Sequence, residues 1–158
     1  MIDTINSDHH FFETIRVEDI HSFEREIKQK LPSKLREFYE RYYSLEFEGN
    51  RLFEIENDMI LIKGDKELEV SVHRTLLFDD IKRVLLLESE RDGYADYFGT
   101  YWSDYLPVIS PLGDNGYFMV GIGERNQDQV IFLSYNDDTI LKVCRDIFSL
   151  FNEHLRDY

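Results

Sequence analysis

At 158 residues the chain suits one domain, and its 42% hydrophobic and 15% aromatic content is too rich for a disordered polymer. Eighteen basic residues against 32 acidic ones leave a net charge of −14, which repels a phosphate backbone and argues against nucleic-acid binding. A single cysteine excludes an internal disulfide, and no apolar run approaches the roughly 18 residues of a membrane span, so a soluble cytoplasmic protein without a signal segment is expected.

Residues 1–16 read as a leader to a single domain that takes up the rest of 1–158. From residue 17, Ile20, Phe23, Ile27 and Leu31 recur at steps of three and four and predict an amphipathic helix that Pro32 stops. Ser33 is placed to cap a second helix, in which Leu35, Phe38, Tyr39 and Tyr42 share one face. Gly49-Asn50 closes this part. Leu52 to Ile55 and Met59 to Ile62 flank Asn57-Asp58 and predict a strand pair, and Glu67 to Val72 alternates as a strand with one wet face.

Residues 77–90 return to helical spacing through Leu77, Ile81, Val84 and Leu85, with Asp79 and Asp80 near the helix start. Beyond an aromatic loop, Leu106 to Ile109 is a short extended piece, and Gly113-Asp114-Asn115-Gly116 supplies turn chemistry. Tyr117 to Ile122 and Val130 to Tyr135 read as strands, the second apolar enough to lie inside a sheet. Asn136 to Thr139 is expected to end the sheet, and Val143, Ile147, Leu150, Phe151 and Leu155 to line a C-terminal helix packed on it. The order implies an α+β domain: a mainly antiparallel sheet with two N-terminal helices, a middle helix and a C-terminal helix.

Catalytic signals are thin. Cys144 falls on the apolar side of the expected last helix, as a buried structural thiol does. His9 and His10 lack a third ligand at metal spacing, and His21, His73 and His154 are scattered singly. Asp79-Asp80 and Asp137-Asp138 suit a helix start and a turn better than a cation. Gly121-Ile122-Gly123 has two glycines of a dinucleotide loop, but Asn126 stands where the third belongs. No metal, cofactor or catalytic residue is expected.

The segment 88–105 is different in kind. Glu90, Asp92, Asp96 and Asp104 interleave with Tyr94, Tyr97, Tyr101 and Trp102, against the single Arg91. Rings that give contact area and carboxylates that select charge suit a basic protein surface, so these eight residues are the candidate partner-binding set. The same rings would equally suit a layer lying over the sheet. Lysines and arginines that single-stranded nucleic acid would require are missing.

The chain also resembles the SMI1/KNR4 family of the SUKH superfamily. The resemblance rests on Leu31-Pro32 after an amphipathic helix, Leu35 to Tyr43, Leu106-Pro107-Val108-Ile109, Gly113 to Gly116, the two strands that follow, and Ile147-Phe148-Ser149-Leu150-Phe151. It spans roughly residues 17–156. In place of the family's Asn-Gly-Gly turn after the second helix stands Tyr43 to Asn50. The resemblance implies an α+β domain without catalytic residues, whose bacterial members often bind and neutralise a polymorphic toxin, frequently a nuclease or deaminase. It thus implies an immunity protein with a basic toxin as partner. The alternative is a non-enzymatic regulatory interaction module unrelated to toxins. A metal-dependent hydrolase built on Asp137 and Asp138 lacks any supporting histidine spacing.

Overall fold

Among the described residues, four helices and ten strands build one large sheet, covered by the helices, and a small hairpin. The computed structural model describes residues 4–6, 10–51, 53–56, 59–62, 71–89, 104–111, 116–134 and 139–157. In chain order the elements are β1 (His10–Glu13), α1 (Val17–Ile27), α2 (Ser33–Tyr42), β2 (Ser44–Arg51), β3 (Phe53–Glu56), β4 (Met59–Ile62), β5 (Ser71–Thr75), α3 (Phe78–Ser89), β6 (Tyr105–Pro111), β7 (Gly116–Gly121), β8 (Val130–Ser134), β9 (Thr139–Cys144), α4 (Ile147–Ser149, continued as a π-helical stretch over Leu150–His154) and β10 (Leu155–Asp157).

The main sheet runs β1-β2-β5-β6-β7-β8-β9, with β10 also paired to β2, and every pairing is antiparallel. β3 and β4 form a separate antiparallel pair, as their sequence predicts. The fold is α+β.

Helical apolar stripes from α1 to α4 converge on one sheet face. Ile20, Phe23, Leu35, Phe38, Tyr39, Ile81, Phe148 and Phe151 are buried in one cluster with Leu45, Leu106, Ile109, Phe118 and Phe132 of the sheet. Ring packing ties the layers: Phe23 stacks on Phe78 at 4.1 Å, and Phe38 lies 5.8 Å from Phe148 and 5.9 Å from Phe151. Met119, Ile131 and Leu133 alternate with these sheet residues, lie outside that cluster and are also buried. Burial of both faces explains why β8 reads as nearly all apolar.

Several expectations are corrected. α1 ends at Ile27 because Lys28 turns into the left-handed region at φ 57, so Leu31 enters the core from the connector. Ser33 does not cap α2; Pro32 holds that position without a side-chain bond. Gly49-Asn50 does not end a helical unit: Leu45-Glu46-Phe47-Glu48 alternates, and Ser44–Arg51 is a strand bordered by β1, β5 and β10. The sheet does not close at Thr139, which instead begins β9. Val143 and Cys144 belong to that strand and Leu155 to β10, so the last helix is shorter than its spacing implies. Asp146 caps it by accepting the Ser149 N–H at 2.8 Å.

Within residues 1–16, read as a leader, Ile5 is buried and donates its N–H to the Tyr42 hydroxyl, and Asn6 donates to Asn152 at 2.7 Å. His10–Glu13 adds the strand beside β2.

Candidate interaction surface

Of the eight candidate residues, Glu90, Asp92, Tyr94, Asp96, Tyr97, Tyr101 and Trp102 lie outside the described residues. Asp104 is described and exposed. Its carbonyl accepts the Ile122 N–H and the Asn126 Nδ2–H, each at 3.0 Å. Two donors from one turn thus hold the backbone at the end of the acidic, aromatic stretch.

That turn, residues 122–129, joins β7 to β8 and is closed by its own polar groups. Asn126 Oδ1 accepts the Gly123 N–H at 2.8 Å, and the Gly121 N–H reaches the Gln129 carbonyl at 2.9 Å. Both glycine donors are therefore occupied within the turn. Asn126 at the third glycine position is what consumes the Gly123 donor, and this is the physical reason the motif makes a turn and not a phosphate cradle. A Cβ on Gly121 would sit 2.0 Å from the Asn126 carbonyl oxygen, so only glycine permits so close an approach.

Three other segments meet the same turn. Gln29 donates from its Nε2 to the Ile122 carbonyl at 3.3 Å, and the Tyr105 hydroxyl donates to Gln129 Oε1 at 3.2 Å. Asp128, buried and at φ 64, accepts the Lys34 and Leu35 N–H groups that open α2. Burial pushes the Asp128 carboxyl above the ordinary range, while those two N–H bonds pull it back. The turn is thus a hub between α2, the α1–α2 connector and the start of β6. Sequence reasoning marked Asn126 only as the residue in place of a third glycine and passed over Asp128 and Gln129; the one available signal was an Asn and an Asp, residues that tolerate φ > 0, behind a glycine pair.

The other chemistry-bearing residues are dispersed. Cys144 ends β9, half-buried, and burial pushes its thiol up to about 12, far from a reactive thiolate. His21 is exposed on α1, 3.5 Å from Glu24. His10 lies in β1, its ring 5.7 Å from Phe12 and 6.1 Å from Tyr42. Asp79 pairs with Lys82 at 3.1 Å and Asp80 with Arg83 at 3.6 Å, as acids at a helix start do. Asp137 and Asp138 lie outside the described residues. Among the described residues no group of three or more His, Cys, Asp or Glu side chains could hold a metal ion, and no helix is long and apolar enough to cross a membrane.

The model of the SMI1 / KNR4 family (SUKH-1) matches residues 14–153. Neither a curated protein nor a solved structure matches the chain.

Proposed function

Because the chain belongs to the SMI1/KNR4 family (SUKH-1), we propose that it is an immunity protein that binds and neutralises a cognate toxin in the cytoplasm and catalyses no reaction. The observation that carries this reading is the family match over most of the chain, a family consistent with an immunity role. The charge of −14 supports a partner of opposite sign: a toxin with a basic surface, of nuclease or deaminase type, would be drawn in by long-range attraction.

The proposed contact set is Glu90, Asp92, Tyr94, Asp96, Tyr97, Tyr101, Trp102 and Asp104. Exposed Asp104 supports it, since a carboxylate on a backbone held by two hydrogen bonds presents its charge at little further entropic cost. Co-expression with any toxin domain that neighbouring genes encode tests the reading. Cells survive and a stoichiometric complex is recovered if it holds; death of the cells and no complex count against it.

A further inference from the structure

Strand β1 is the last on its side of the sheet, and among the described residues nothing pairs with its outer edge. Edge strands ordinarily discourage further pairing with a lysine, a proline or a bulge. His10-Phe11-Phe12-Glu13 has none of these, and Phe11 is 75% and Phe12 49% exposed.

We propose that this edge pairs with the same edge of a second copy, joining two sheets antiparallel about a two-fold axis normal to them. Residues facing each other across an antiparallel ladder share a face of the sheet, so a self-pairing register must match numbers with an even sum. Two registers use the middle of the strand. Centred on Phe11, Phe11 faces its own copy and His10 faces the Phe12 of the second copy. Centred on Phe12, Phe11 faces a glutamate.

The first register makes every facing pair among these three residues aromatic, a favourable cross-strand match. Their rings already associate within one strand, His10 lying 5.7 Å from Phe12. It also holds the two Glu13 side chains roughly 14 Å apart, beyond the ~8 Å screening length at physiological salt, whereas the second brings them to roughly 8 Å. The Phe11-centred register is the one the strand encodes.

Each copy carries −14, so the two repel at a distance and added salt strengthens the pair. A basic strand docking on the same edge would respond in the opposite sense.

Sedimentation equilibrium of the full chain at low and high sodium chloride tests this. The expected result is a dimer whose dissociation constant falls as salt rises, and rises at least about tenfold in Phe11→Lys with the circular dichroism of the folded chain unchanged, since Phe11 is mostly exposed. In a Cys144→Ser background, Phe11→Cys chains cross-link on oxidation and Glu13→Cys chains do not, roughly 14 Å exceeding the reach of a disulfide. A monomer at every concentration, a dimer indifferent to Phe11→Lys or weakened by salt, or cross-linking through Glu13→Cys instead would overturn the proposal.

Discussion

The carboxylate of Asp128 accepts the Leu35 N–H at 3.0 Å, so the first turn of α2 is capped by a residue 93 positions later in the chain. The bond to the neighbouring Lys34 N–H, at 3.2 Å, makes the cap two-pronged. Asp128 makes both bonds from a backbone at φ 64, a conformation that costs a residue with a Cβ more than it costs glycine.

Replacing this residue two ways separates cap from backbone. Asp128→Ala loses both bonds and keeps the backbone cost, and is expected to lower stability by about 1–2 kcal/mol. Asp128→Gly loses the same bonds but suits the left-handed backbone, so it should be the milder change. Urea unfolding of the two variants checks the order. Equal losses would mean that the backbone conformation contributes nothing.

Acid titration gives an independent view of the same carboxyl. Burial raises its folded pKa above the unfolded 3.8, helped by the nearby Asp146 charge, while the two N–H bonds and Lys34 act the other way. The folded state therefore binds this proton more readily than the unfolded one. Its contribution to stability is largest at low pH and is lost as pH rises from 3.8 through the folded value. Asp128→Asn removes the titration. The difference in stability, wild type minus variant, should fall as pH is raised above the unfolded 3.8 and level off once the folded carboxyl has ionised. A difference that rises over this range would contradict the assignment.

Glu24 is a second buried acid with a defined task. It accepts the Leu31 N–H at 2.8 Å and pairs with the Arg36 guanidinium, tying the α1–α2 connector to both helices. Glu24→Ala leaves that N–H and a partly buried guanidinium without this acceptor, and an expected loss is about 2–3 kcal/mol. Glu24→Gln keeps one acceptor and should lose less. Thermal unfolding of the two variants decides it.

For the proposed partner, Asp104→Lys is expected to slow association several-fold at low salt, with the melting temperature within error of the parent. An exposed charge steers encounter but adds little to stability. Stopped-flow mixing with the toxin measures the rate. An unchanged rate at low salt would remove Asp104 from the contact surface.

Much of the fold was legible because it is periodic. Ile20 and Phe23, or Leu35, Phe38, Tyr39 and Tyr42, announce their faces by spacing alone, and the tertiary core accepts those faces. β7 was readable by its alternation, β8 as a continuous apolar run, and β3 and β4 as short apolar runs on either side of a turn. What misled was local in a different way. The Val143 to Leu155 spacing fits one helix, yet Val143 and Cys144 are held in β9 by pairing with β8, a choice that depends on a neighbour far from that window. β1 is four residues long, too short for a period to show, and exists because β2 offers it an edge.

The candidate surface divides along the same line. Charge and the aromatic run are properties of composition, so the sign of the partner and the segment at 90–104 could be proposed from the sequence alone. The grip of Asn126 on Gly123 and on the Asp104 carbonyl, and of Asp128 on α2, could not. Side-chain periodicity tells each segment which way to face, because burying apolar area is additive and local to the element. Hydrogen bonds between segments as distant as Leu35 and Asp128 depend on where two backbones arrive, and only the packed tertiary structure decides that.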